Sequence, residues 1–390
     1  MRIARGSLVA AGCAAVWVAV AAGQAPAAGP ASASCSISTT ERIVAVGDVH
    51  GGYEAFQAIL REAGLIDNRR RWTGGRAILV QTGDVVDRGA ESREVLDLLR
   101  RLERDAARAG GQVHALIGNH EAMRLIGDYR YVSEAEYAAF RGRDSVELRE
   151  RLYEVVVAER QAQARAADIE FDEQAFRAAF LEEIAVGRVE MQRAFGPDGE
   201  YGRWIRAHNV MVVINGIAFM HGGASPEVAA RGCAAINETV REEMRTITTL
   251  ADPRIPESLI AGRSGPLWYR GLAEDPPLLP EQFEAILAGL GARVLVVGHT
   301  TSRGQITARY DGRVIIIDTG LLGGEFYPDG APSALEIRGH SFTAVYVGGR
   351  REPIALGASA GGGSVVEDGG FAFGGDALGH VGQNLVAARQ

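Results

Sequence analysis

Three strand-loop-helix units follow one another early in the chain, and each closes its strand with a turn that carries a polar residue. Residues 42 to 46 are apolar and strand-like and lead into Gly47-Asp48-Val49-His50-Gly51-Gly52, after which 53 to 64 carry helical periodicity. Residues 77 to 82 lead into Gly83-Asp84-Val85-Val86-Asp87-Arg88-Gly89, with a Leu- and Arg-rich helix expected over 92 to 109. Residues 113 to 117 lead into Gly118-Asn119-His120-Glu121. Asp48, Asp84 and Asn119 are therefore spaced by 36 and 35 residues, about the length that a parallel βαβ connection needs. The spacing predicts an α/β fold whose strands each deliver one polar side chain to the same edge, where open α/β sheets place their chemistry. One Gly-Asp turn alone says little, because Gly takes positive φ cheaply and Asp caps helices. Repetition is what points to a site.

Two more turns of this kind follow. Strand character over 210 to 220 leads into His221-Gly222-Gly223-Ala224-Ser225-Pro226, with helix expected to about residue 250. The strand 294 to 297 ends in Gly298-His299-Thr300. Between them a looped section holds Gly265-Pro266-Leu267-Trp268-Tyr269-Arg270-Gly271. Strands at 314 to 317 and 342 to 347 read as hairpin members of an antiparallel part of the sheet. From about 131 to 195 the composition shifts to Glu, Arg and Ala, with capping-box spacings at Ser133/Glu136 and Asp144/Glu147. Two or three amphipathic helices are expected there, their charges forming a solvated face or a cap that sets access to the site.

Asp48, His50, Asp84, Asn119, His221 and His299 all sit in glycine-bearing turns after apolar runs. Six oxygen and imidazole ligands suit two divalent metals that share one carboxylate. Such a pair holds a water or hydroxide nucleophile and phosphoryl oxygens, and neutralises charge in an in-line transition state. The net charge of -8 argues against general nucleic-acid or anionic-membrane binding. Any phosphate must then be met locally, by metals and by arginine, since all 41 basic residues are Arg.

The ordered motifs Gly47-Asp48-x-His50-Gly51, Gly83-Asp84-x-x-Asp87-Arg88-Gly89, Gly118-Asn119-His120-Glu121 and His221-Gly222-Gly223 resemble the signature of the calcineurin-like metallophosphoesterases. Asp-Arg-Gly in the second motif and His-Gly-Gly-x-Ser-Pro are similar to the phosphoprotein phosphatases. Gly298-His299-Thr300 and the exported bacterial style resemble their Shewanella-like branch. The resemblance covers roughly residues 42 to 350. It implies a central β-sandwich of two mixed sheets flanked by helices in α-β-β-α layers, with the helical insertion at about 131–195 and a catalytic domain at 40–350. It implies that Asp48 and His50 hold the first metal, that Asp84 bridges, and that Asn119, His221 and His299 hold the second. His120 would be the general acid, Asp87 its orienter, Arg88 a phosphate-binding residue and Arg270 a second one. The chain departs from the family at Ile117, where an Arg is usual, and at Gly298, where the eukaryotic enzymes have alanine.

The activity so implied is hydrolysis of phosphorylated Ser/Thr or Tyr side chains of a protein or peptide by attack of water or hydroxide held on two metal ions, manganese with iron or zinc as alternatives. A small phosphate ester is the other partner considered. Alternatives are a diadenosine polyphosphate hydrolase or nucleotide phosphatase built from the same motifs, and a non-catalytic metal-binding protein. Asp318 is a candidate partner for a ligand histidine. Trp268 and Tyr269 could stack on an aromatic phosphoester or fill a loop core. His114, His208, His340 and His380 read as ordinary histidines.

The first 33 residues carry Arg2 and Arg5, an apolar run from Leu8 to Ala22, and then small residues and Pro. This is the pattern of a secretory signal peptide, with cleavage after Ala25, Ala27 or Ala33; a retained anchor is the alternative. A periplasmic or secreted protein with no stable membrane insertion is expected. Cys35 and Cys233 could then pair or remain apart. From 356 to 390 the chain is Gly-rich and expected to be flexible.

Overall fold

The computed structural model describes residues 35–357. The expected signal peptide and the Gly-rich tail beyond residue 357 lie outside that range. Within it run β1 (Ser36–Ile37), β2 (Ile43–Val46), β3 (Ile78–Gln81), β4 (Gln112–Ala115), β5 (Met211–Ile214), β6 (Ile217–Met220), β7 (Val294–Val297), β8 (Thr307–Arg309), β9 (Val314–Ile316), β10 (Ser333–Arg338), β11 (Ser341–Tyr346) and β12 (Arg351–Ile354). They form two six-stranded mixed sheets, one ordered β12-β11-β10-β2-β3-β4 and the other β1-β5-β6-β7-β9-β8. This is the expected sandwich.

Alternation along the strands explains the layering. Ile43 and Ala45 of β2 and Ile78 and Val80 of β3 pack between the sheets with Ile217, Phe219, Val294 and Val296. Val44, Val46 and Leu79 point the other way, onto Phe56, Ile59, Leu60, Leu96 and Leu99. Those last residues recur at helical spacing in Tyr53–Glu62 and Ser92–Arg108, so each helix turns one apolar stripe to the sheet. Burying each such aliphatic side chain contributes about 1.5–3 kcal/mol.

The topology sets up the site. β2, β3 and β4 run parallel, with Val46 level with Gln81 and Gln81 with Ala115. β6, β7 and β9 run parallel in the other sheet, with Met220 level with Val297 and Val297 with Ile316. Each sheet thus ends three parallel strands at one edge.

Several sequence expectations are corrected. Residues 210 to 220 are two antiparallel strands, turned by Asn215-Gly216, both at left-handed φ of 53° and 72°. Asn-Gly is the favoured two-residue hairpin turn. The strands near 314 and 342 fall in different sheets: β9 pairs parallel with β7 and antiparallel with β8, whereas β11 lies antiparallel between β10 and β12. The insertion contains four helices, Glu134–Ala138, Ser145–Ala166, Glu173–Glu183 and Arg188–Phe195, with a small core of Tyr153, Val157, Phe180 and Ile184. Ser133 and Glu136 form their capping box. Asp144 makes no cap bond; the Ser145 hydroxyl ties that turn instead, donating to Gly142 O at 3.1 Å.

Cys35 and Cys233 form a disulfide, which joins the start of β1 to the helix Gly232–Thr246. Among the described residues no helix is long and apolar enough to cross a membrane.

Candidate active site where the two sheets meet

Turns after β2, β3, β4, β6 and β7 converge, and Asp48, His50, Asp84, Asn119, His221 and His299 are all buried there. His50, Asp84, Asp87, Arg88 and His299 have left-handed φ of 48°, 56°, 72°, 68° and 64°. For non-glycine residues each such conformation costs on the order of 1–3 kcal/mol, and clusters of them mark functional sites. The strain is held by a shared set of bonds. Val49 and His50 donate their N–H to Asp84 O at 2.9 Å each, and Gly89 N–H donates to His50 O at 3.0 Å. The Glu121 carboxylate accepts the N–H of Asp84, Val85, Val86 and Gly118 at 2.8, 2.8, 3.2 and 2.8 Å. Sequence reasoning gave Glu121 no role. Its place three residues after Gly118, the reciprocal position of a capping box, was the available signal.

The side chains then crowd around Asp84. Its Oδ2 lies 3.3 Å from His221 Nε2, 3.6 Å from His50 Nε2 and 3.7 Å from His120 Nε2. His221 Nε2 lies 2.8 Å from Asn119 Oδ1 and 3.1 Å from His299 Nδ1. Asp48 Oδ1 lies 3.8 Å from His221 Nδ1, and Asp48 Oδ2 lies 3.9 Å from His50 Nε2. Two groups of ligand atoms, one of His50, Asp84 and His120 and one of Asp84, His221 and His299, fall within cation-binding reach and share Asp84. The ring nitrogens facing away from Asp84 are fixed by backbone carbonyls: His50 Nδ1 lies 3.0 Å from Val86 O, and His221 Nδ1 lies 3.0 Å from Thr82 O.

Electrostatics and shape both fit metal ions. Burial, with Asp318 and Asp84 nearby, pushes the Asp48 carboxyl well above the usual carboxylate range. Burial also opposes charge on Asp84, yet the His221, His120 and His50 imidazoles hold it well below. Burial drives the pKa of His50 down to about 3 and that of His299 to about 2, the neutral form that binds a metal. His299 Nε2 is buried without a hydrogen-bond partner among the described residues, an orphan that a cation would satisfy. A Cβ at Gly118 would collide with Asp84 Oδ1, and one at Gly298 with Asp48 Oδ1. Only glycine lets the backbone come so close.

On the rim, His120 Nδ1 lies 2.7 Å from Asp87 Oδ2, so the imidazole donates there and aims Nε2 at the centre. Arg88 reaches in against His50 Nε2 and donates to Tyr327 Oη at 2.5 Å. Its guanidinium carbon is 5.6 Å from the ring centroids of both Tyr131 and Tyr327. Neither tyrosine was foreseen. Arg270 donates to His299 O and Thr300 Oγ1, each at 3.0 Å, so it borders the site through the last ligand loop.

The remaining candidates sort out plainly. Asp318 is buried but accepts from Thr301 Oγ1 at 2.8 Å and Gly320 N–H at 2.9 Å. It does not partner His50 or His221, whose outward ring nitrogens face carbonyls instead. Trp268 donates to Ile260 O at 3.0 Å and meets His299 edge-on at 5.9 Å, while Tyr269 packs beside Gly223. Both pack against the core. His114 lies in β4, His208 lies 2.6 Å from Glu103 and His340 is exposed, all away from the turns. His380 lies outside the described residues.

Comparison with known proteins agrees with this geometry. The profile of the calcineurin-like phosphoesterases matches residues 41–302. The chain is 32% identical over 302 residues to Shewanella-like protein phosphatase 2 of Arabidopsis thaliana, covering 76% of this chain and 75% of that one. It is 27% identical over 317 residues to Shewanella-like protein phosphatase 1 of Plasmodium berghei (strain Anka), covering 80% and 75%. The crystal structure of the cold-active protein-tyrosine phosphatase of a psychrophilic Shewanella species superposes with a TM-score of 0.61 at 25% identity, covering 82% of each chain.

Proposed function

Since the chain belongs to the calcineurin-like phosphoesterase family and, within it, to the Shewanella-like protein phosphatases, we propose that it is a metal-dependent phosphomonoesterase acting on phosphorylated Ser/Thr or Tyr side chains of proteins. The observation that carries the reading is Asp84 shared between two ligand groups, with His120, Asp87 and Arg88 on the same rim. A protein that only stores metal needs neither an acid nor a phosphate fork. The names of the relatives support the phosphoprotein substrate.

In this reading Asp48, His50 and Asp84 hold one divalent ion, and Asp84, Asn119, His221 and His299 hold the other. Manganese, iron or zinc fits this donor set. When bound, such ions neutralise phosphoryl charge and make water nucleophilic at neutral pH. Arg88 and Arg270 bind phosphoryl oxygens, Arg88 from a fork already parked between Tyr131 and Tyr327. His120 keeps Nδ1–H on Asp87 and passes a proton from Nε2 to the leaving oxygen. Export, proposed from the pattern of residues 1–33, agrees with the Cys35–Cys233 pair, because disulfides persist in oxidising compartments; N-terminal sequencing of the periplasmic protein tests it.

Asp84→Asn should abolish p-nitrophenyl phosphate turnover and release metal, read by elemental analysis. Near wild-type turnover in that variant overturns the reading. Phosphopeptides turned over well ahead of diadenosine tetraphosphate support the substrate class; the reverse order sinks it.

A further inference from the structure

Arg124 lies four residues after His120 in the helix Asn119–Leu125 and is 1% exposed. Its Nη2 donates to Asp87 Oδ1 and, at 3.0 Å, to Glu136 Oε1. Asp87 Oδ2 is the oxygen that faces His120. Glu136 Oε1 also accepts the N–H of Asp87 at 3.2 Å, and its Oε2 accepts that of Ser133 at 3.2 Å. The far end of the insertion closes the set, with Met191 Sδ 3.6 Å from Arg124 Nη1 and the Phe195 ring 4.9 Å from its guanidinium carbon. A buried line of Glu136, Arg124, Asp87 and His120 therefore runs from the first turn of the insertion to the site.

We propose that Arg124 and Glu136 are positioning residues for His120, and that through them the insertion sets the aim of the proton donor. The inference rests on the reading of His120 as general acid. The physical reason is rotational. An aspartate held only by one imidazole can swing about its side-chain torsions and carry the ring with it. With Oδ1 occupied by Arg124 and its own N–H taken by Glu136, Asp87 presents a single oxygen in a single direction. His120 Nε2 is then directed inward before substrate arrives, the preorganisation that proton transfer at a fixed distance requires. Arg124 touches neither the proposed ligands nor a phosphate position, so it acts only through Asp87.

The test is the dependence of rate on the leaving group, in the full-length, metal-loaded protein. p-Nitrophenyl phosphate leaves readily without a proton, whereas phenyl phosphate needs one. Arg124→Gln should lower kcat for phenyl phosphate on the order of tenfold or more, lower it far less for p-nitrophenyl phosphate, and leave KM and metal content near wild type. Arg124→Lys, which keeps the cation between the two carboxylates, should restore much of the difference. In a His120→Asn background, Arg124→Gln should add no further loss, because residues acting as one unit are not additive. Equal losses on both substrates, loss of metal, or a full further loss on top of His120→Asn overturns the proposal. Should Arg124→Gln fail to melt cooperatively, Glu136→Gln, close in shape, is read by the same comparisons and decides it. A His120→Asn enzyme that works like wild type defeats the acid reading itself; a crippled His120→Asn beside a normal Arg124→Gln defeats only this inference.

Discussion

The backbone N–H of His299 donates to both oxygens of the Asp48 carboxylate, at 3.1 and 3.2 Å. Asp48 follows β2 and His299 follows β7, so this contact joins the carboxyl edges of the two sheets. It also brings together the first and last of the proposed metal ligands. The neighbouring Gly298 makes the approach possible, because a Cβ there would strike Asp48 Oδ1 and come within 3.0 Å of Thr82 Oγ1.

Gly298→Ala is therefore expected to push the Asp48 carboxylate out of place in this chain, although alanine is the eukaryotic residue. Metal affinity should fall about 10–100-fold, as when a group supporting a ligand is lost. Metal titration of the purified variant checks this, and wild-type affinity would show that the loop yields without disturbing Asp48.

His120→Asn should keep its metal and lose turnover, by about 10²–10⁴-fold in kcat, the usual worth of a general acid. Elemental analysis alongside steady-state kinetics distinguishes the two roles that the geometry allows, since His120 also lies in a ligand-like group with His50 and Asp84. Loss of metal would make it a ligand.

The disulfide closes a stretch of 198 residues between Cys35 and Cys233, and neither cysteine is among the proposed site residues. Cys233→Ser should cost about 2–5 kcal/mol, chiefly by freeing the unfolded chain, while turnover of the folded enzyme persists. Urea unfolding of both proteins measures the difference, and equal midpoints would contradict it.

Glu336 on β10 is paired with Arg42, Arg338 and Arg351. Burial opposes its charge, but hydrogen bonds from Arg42 and Arg338 and the field of Arg351 hold its carboxyl below the usual range. Its folded pKa is thus below its unfolded one. The stability it contributes is complete above about pH 5 and is lost as pH falls through the lower, folded value. Glu336→Gln should melt below wild type at neutral pH, with the gap closing in acid. A gap that persists unchanged in acid would assign the effect to packing.

The sequence by itself determined the strand-turn-helix rhythm, the six proposed ligand positions and the α/β class, because these are local: apolar runs of strand length, glycines where the backbone turns, and polar residues at the turns. His120, Asp87, Arg88 and Arg270 were added by the resemblance of the same motifs to the family. It determined the Asn215-Gly216 hairpin too, in a signal overlooked within a longer apolar run. Tertiary structure alone decided that β9 and β11 belong to different sheets, since pairing partners are chosen by long-range packing and not by strand composition. It alone decided which oxygens and nitrogens face one another around Asp84. Glu121, Arg124, Glu136, Tyr131 and Tyr327 were hidden for the same reason. Each is an ordinary charged or aromatic residue in a helix or loop, and is joined to the site by neighbours as far as 239 residues away in the chain, as with Arg88 and Tyr327.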